Sequence, residues 1–162
     1  MATNLIRNYN QLLELIYRSQ AENVQSIRNV FLRDFGAPMQ FNNCLIQPTQ
    51  ADGQDTMDRL FNHLTRVVVD EKTNKREFES ERAIRIHWIR HLFRNYQGLN
   101  HILTFQVTDE KRVYLLDRNE RYVIILEPLR NGNAYYLLSA YRLLDSNFRK
   151  IMKKYQKRGV PI

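Results

Sequence analysis

Two changes of period predict an α+β protein. Apolar residues recur at helical spacing in four stretches of the first 96 residues, alternate one-in-two along residues 101–143, and return to helical spacing after Asp145. Short polar turns separate the alternating segments, and no linker divides the chain into two cores. The expected architecture is a set of N-terminal helices, a central helix packed on a four-stranded antiparallel β-meander, and a basic C-terminal helix.

Taken in order, residues 4–20 place Leu5, Tyr9, Leu12, Leu13, Ile16 and Tyr17 at helical spacing. A second helix is expected from Glu22 to Asp34, ended by Gly36 and Pro38. Residues 36–54, with Gly36, Pro38, Pro48 and several Asn and Gln, are expected to be irregular loop. A third helix is predicted over 56–69, with Met57, Leu60, Phe61, Leu64 and Val67 facing inward, and the polar run 70–77 reads as a surface connection. The central helix is predicted over 80–96. Strands are predicted over 101–107, 112–117, 121–129 and 134–143, and Arg130-Asn131-Gly132-Asn133 is the clearest hairpin signal. Asp145 then caps a last helix with Phe148, Ile151, Met152 and Tyr155 inward.

The central helix carries an anomaly. At about 100° per residue, Ile84, Trp88, Ile89, Leu92 and Tyr96 fill one apolar arc. Arg85 falls inside that arc and Arg82 at its edge. A guanidinium aimed at a core is costly unless it has a partner or lines a polar cleft. His87, Arg90, His91 and Arg94 fall on the opposite side, where water is the expected neighbour.

Charge is unevenly distributed. Residues 1–80 hold nine Lys/Arg against ten Asp/Glu, and residues 81–162 hold sixteen against seven, so the net charge of +8 resides in the second half. Such a half attracts polyanions, nucleic acid first, although a solvated basic surface has the same composition. No apolar run approaches the ~20 residues of a membrane span. Cys44 is the only cysteine, which excludes an intramolecular disulfide and a thiolate zinc site. The start lacks the layout of a secretory signal, so the expected compartment is the cytoplasm, with delivery to a target cell without a signal peptide as the other route. No glycine-rich phosphate loop occurs, which argues against nucleotide hydrolysis.

On the fourth strand, strict alternation puts Tyr135, Leu137, Ser139 and Tyr141 on one face. If that face meets the central helix, Arg82, Arg85, Ser139 and Tyr141 converge. Two guanidiniums, a hydroxyl and a phenol suit an RNA phosphodiester: the cations stabilise charge in the transition state, and the phenol stacks a base or moves a proton. The plainer reading makes Tyr141 an ordinary strand aromatic and Ser139 a satisfied hydroxyl. His87 and His91 stand four apart, but no glutamate occupies the zincin position and no third ligand is evident, so no metal is assigned. Asp117 and Arg118 either reach a site from the end of their strand or form a turn salt bridge.

The stretches Glu81-Arg82-Ala83-x-Arg85-x-x-Trp88-Ile89, Tyr114-Leu115-Leu116-Asp117-Arg118, Tyr135-Tyr136-Leu137-Leu138-Ser139-Ala140-Tyr141 and Lys153-Lys154-Tyr155 resemble phage-type members of the barnase/EndoU/colicin/RelE-like nuclease superfamily. The resemblance covers residues 78–158. It implies a nuclease core over 78–162; residues 1–77, which it does not cover, are expected to be a helical cap of the same domain that completes the core or carries the partner surface. It also implies a small, metal-independent ribonuclease toxin that needs no cofactor and cleaves RNA through the 2′-hydroxyl. Arg85, Arg82, Tyr141 and Ser139 would be catalytic, Ser139 standing where such proteins more often have threonine. Arg118, Asp117, Lys154, Tyr155 and His87 would contact the substrate. A toxin further implies a cognate inhibitor, an immunity or antitoxin protein of acidic character. The alternative expectation is a non-catalytic, phage- or prophage-encoded module binding RNA or protein, in which Arg85 forms a buried ion pair, with Glu127 or Asp117 as candidate partners.

Overall fold

The structure, a computed structural model, describes residues 3–49, 53, 55–129, 132–159 and 162. A 3-10 turn (Thr3–Ile6) and an irregular segment lead into α1 (Gln20–Phe35), followed by β1 (Gln40–Phe41), β2 (Cys44–Pro48), α2 (Thr56–Thr65), β3 (Arg66–Asp70) and β4 (Lys75–Phe78). Then come α3 (Ser80–Ala83), α4 (Trp88–Asn95), β5 (Ile102–Val107), β6 (Arg112–Asp117), β7 (Tyr122–Pro128), β8 (Ala134–Arg142) and α5 (Asp145–Gln156). The fold is α+β, with five helices among the described residues.

The expected four-stranded sheet is a mixed sheet of six, ordered β1-β2-β8-β7-β6-β5. β5 to β8 pair antiparallel in succession, and β2 joins β8 in parallel. The segment expected to be loop therefore supplies two strands. Asn42 and Asn43 make this possible: both sit at positive φ (53° and 62°), the backbone of a tight hairpin turn that asparagine tolerates. Residues 1–77 are consequently not a purely helical cap, because residues 40–48 are part of the main sheet.

Three further expectations are corrected. Residues 4–20 form no long helix; Asn4, buried, donates its amide to the Glu14 carbonyl (3.0 Å) and accepts from the Glu14 N–H (2.7 Å), folding the segment back on itself. Asn10 at φ 64° and the bond from the Leu13 N–H to the Ile84 carbonyl (2.9 Å) finish the departure. The third helix stops at Thr65, since Val67, Val68 and Val69 prefer extended backbone, and this strand pairs with β4, around an irregularity at Val69, in a two-stranded ribbon that replaces the expected surface connection. The central helix is broken: i→i+3 bonds such as Ile86 N–H to Ala83 (3.2 Å) tighten residues 84–87 between α3 and α4. Of the expected Arg130–Asn133 hairpin turn, Arg130 and Asn131 lie outside the described residues, and Gly132 follows at φ 71°.

Helices cover both faces of the sheet. Ile27 and Phe31 of α1, Phe61 and Leu64 of α2, and Trp88, Ile89 and Leu92 of α4 pack on Leu115, Tyr122, Ile124, Leu126, Leu137 and Ala140. On the other face α5 packs Phe148, Ile151, Met152 and Tyr155 on Phe105, Tyr114, Leu116 and Val123. α1 is capped as Ser19-x-x-Glu22, with the Ser19 hydroxyl accepting the Glu22 N–H at 3.2 Å.

The β1–β2 turn gives a direct test. Asn43→Val, a β-branched residue forced to positive φ, should cost about 1–2 kcal/mol in urea unfolding, while Asn43→Gly should cost nothing or stabilise.

Candidate active site

Among the described residues β8 pairs with β2 only as far as Leu137, so Leu138 to Arg142 form a sheet edge free of any described strand, beside α3. Leu126 pairs with Leu137 and Ile125 with Ser139, which leaves Leu138 as an extra residue, a β-bulge. The bulge resets the alternation. Tyr135, Leu137 and Ala140 face the α1–α4 layer, whereas Ser139 pairs with Ile125, and Tyr141 with Val123, both on the α5 face. Ser139 and Tyr141 thus share a face, but not with Tyr135 and Leu137, and not the face that α4 covers.

Arg82 nonetheless meets them, because α3 passes the free edge. Its guanidinium lies over the Tyr141 ring, 4.8 Å from the centroid, and Nη1 is 3.5 Å from the Ser139 hydroxyl. All three residues are half-buried. Burial lowers the Arg82 pKa from its ordinary value, and Tyr141 and Glu79 oppose that shift. An arginine keeps its proton in such surroundings, so the edge presents a cation, a hydroxyl and a phenol together.

Arg85 does not join them. It is 7% exposed; its Nη1 donates to the Glu81 carboxylate (2.9 Å) and to the Glu81 carbonyl (2.7 Å), its guanidinium lies 5.4 Å from the Trp88 ring centre, and its Nε is buried without a partner. The pairing with Glu81, four residues earlier, is legible in the sequence and replaces the expected Glu127 or Asp117. Glu127 instead pairs with Arg112 at 3.4 Å.

The residues expected to contact substrate are dispersed. Asp117 is 1% exposed; one oxygen accepts the N–H groups of Asn119 (2.9 Å) and Glu120 (3.1 Å), and the other accepts the Tyr9 hydroxyl. Neither oxygen is left for an outside ligand's cation. Burial and the Asp117 charge push the Tyr9 phenol up. No sequence signal ties Tyr9 to Asp117 across 108 residues. Arg118 is exposed and donates to the Asn100 carbonyl at 2.8 Å. Lys154 binds Glu110 (2.7 and 2.8 Å) and the Tyr114 hydroxyl (3.2 Å), and Tyr155 packs edge-on against Phe105. Tyr114 is in register with Ile125 and Ser139, two strand spacings or about 10 Å along the same face.

His87, expected in water, is 5% exposed because the tightened turn rotates it inward, where Nε2 lies 3.0 Å from the Asn8 carbonyl. Burial lowers its pKa, with the Asn8 carbonyl opposing. Among the described residues no three or more His, Cys, Asp or Glu cluster as metal ligands, and no helix is long and apolar enough to cross a membrane.

No family model, curated protein or solved structure matches this chain significantly.

Three stability outcomes follow from these placements. Asp117→Ala should cost about 3 kcal/mol, since it empties a buried site and orphans a half-buried phenol and two N–H groups. Arg85→Ala should lose about 2 kcal/mol of packing, while Arg85→Met, which keeps the stem and removes the orphaned Nε, should melt within about 1 kcal/mol of wild type. A histidine whose folded pKa lies below its unfolded value of about 6.5 stabilises the fold above that pH and loses the contribution as pH falls through the window beneath it. Chemical denaturation between pH 7.5 and 5 should therefore show falling stability, and His87→Gln should flatten the slope.

Proposed function

We propose that this protein is a metal-independent endoribonuclease whose phosphate-binding group is Arg82, acting with Ser139 and Tyr141 at the free edge of β8. The observation that carries the reading is the contact of one half-buried guanidinium with both a hydroxyl and a phenol from a strand 57 or more residues away. Support also comes from the succession β5 to β8, each strand antiparallel to the next, which is the arrangement expected of the nuclease superfamily that the sequence motifs resemble.

In this reading the RNA 2′-hydroxyl gives its proton to water as its oxygen attacks the adjacent phosphorus, the 5′-oxygen leaves and takes up a proton, and a 2′,3′-cyclic phosphate remains. Arg82 neutralises the charge gathering on the non-bridging oxygens. Ser139 donates to one of them, and Tyr141 stacks a base or passes a proton to the departing oxygen. Arg85 takes no direct part in this reading, being held by Glu81 within its own segment. Lys154, on α5 over the same face and paired with Glu110, lies at the margin of this surface, and an acidic inhibitor covering Arg82 would be the natural antagonist of such a toxin.

One observation favours the second reading, a non-catalytic RNA- or protein-binding module. Arg85 is spent in an internal ion pair, as that alternative requires, although with Glu81 rather than Glu127 or Asp117.

Incubation of purified protein with total bacterial RNA in chelator separates the two. The ribonuclease reading expects discrete cleavage, reduced about 100-fold or more by Arg82→Ala, reduced less by Ser139→Ala, and retained by Arg85→Met. RNA binding without cleavage, with and without ribosomes, selects the binding module. Unchanged cleavage by a folded Arg82→Ala protein removes this residue from the site.

A further inference from the structure

The broken central helix creates a second concentration of cationic groups, away from the Arg82 edge. A cleft of about 470 Å³ lies between the N-terminal segment, the end of α1 and α4, and Arg7, Arg33, Arg90 and Arg94 all line it. A narrower one of about 210 Å³ shares those arginines and reaches His87. Four guanidiniums from three separate elements converge on one opening.

Their charges are unequally compensated. Arg7 pairs with Glu14, and Arg33 pairs with the buried carboxylate of Asp34 at 2.8 Å. Arg90 donates to the Asp34 carbonyl, which leaves its charge unneutralised, and Arg94 is exposed with no hydrogen bond or ion pair to a described residue. Four cations less two carboxylates leave +2 at the cleft while its histidines are neutral. His87 reaches only the narrower opening; its Nε2–H donates to the Asn8 carbonyl at 3.0 Å and its Nδ1 is closed off from solvent, so the arginines carry the site.

We propose that this cleft binds a phosphomonoester dianion, the terminal phosphate of a nucleotide or of an RNA end. A phosphomonoester carries about −1.5 to −2 at neutral pH, matching the uncompensated charge, whereas an internal phosphodiester carries one. Guanidinium forks fit phosphate oxygens two at a time, and the cleft is of the size that holds a mononucleotide. The inference stands on these residues alone and does not depend on the role given to Arg82.

Calorimetric titration at fixed ionic strength tests it with two matched pairs: 5′-AMP against adenosine, and a 2′-O-methyl oligonucleotide, which no 2′-hydroxyl mechanism can cleave, with and without a 5′-phosphate. The phosphorylated member of at least one pair should bind about tenfold or more tighter than its partner. Tight 5′-AMP assigns the site to free nucleotides, and preference confined to the oligonucleotide assigns it to RNA ends. Arg94→Ala, at an exposed residue whose loss leaves the melt unchanged, should remove most of the preference. Arg82→Ala should leave the preference intact even where it abolishes RNA cleavage, so loss of one property without the other tells which assignment has failed. Equal affinity within both pairs, or a preference that survives Arg94→Ala together with Arg90→Ala, overturns the proposal.

Discussion

Trp88 is the joint through which the parts of this molecule hold one another. The only tryptophan, 2% exposed, meets Tyr9 and Tyr122 edge-to-face at 5.2 Å each, and its indole N–H donates to the Gln11 carbonyl at 3.1 Å. The N-terminal segment, the start of α4 and the sheet therefore share one side chain. Tyr9 continues the connection by giving its hydroxyl to the buried Asp117 and by stacking on His91 at 4.1 Å. Because an aromatic of this size buries a large apolar area and still has its polar atom satisfied, the irregular N-terminal segment is fixed without regular secondary structure.

That joint explains the break in the central helix. A continuous helix would place His87 in water and direct Arg85 at the sheet. The tighter turn at 84–87 rotates both: Arg85 finds Glu81 and the Trp88 ring, and His87 turns under Asn8. The turn also frees α3 to sit beside the edge of β8. There the bulge at Leu138 delivers Ser139 and Tyr141 to Arg82 around the edge rather than through the core. A site at an unpaired edge is open to a strand-like polyanion, which a group buried beneath α4 would not be.

The two basic features answer to different electrostatics. Arg82 is half-buried among polar and aromatic groups, so its charge acts at short range and is weakly screened by salt. The cleft at Arg90 and Arg94 is wider and more exposed, and its attraction falls with ionic strength. RNA held at one site and a terminal phosphate at the other would engage opposite ends of the α3–α4 unit, whose geometry Trp88 sets.

Periodicity alone determined the class of the fold, the four strands from residue 102 to 142 and the last helix, because sheet alternation and helix arcs are local properties that tertiary packing here reinforced. The charge asymmetry and the oddity of Arg82 and Arg85 were equally visible. What the tertiary structure alone decided were the features that rest on contacts between distant residues or on one-residue shifts of register. Residues 4–20 have a helical pattern yet fold around Asn4 and Trp88, and Cys44–Pro48 have no strand pattern yet find the exposed edge of β8. A single bulged residue reversed the facing of Ser139 and Tyr141, since side chains alternate with period two and one insertion inverts every position after it. Arg85 and Arg82 read alike in a helical projection. Only the turn between α3 and α4 sent one to an internal carboxylate and the other to the edge.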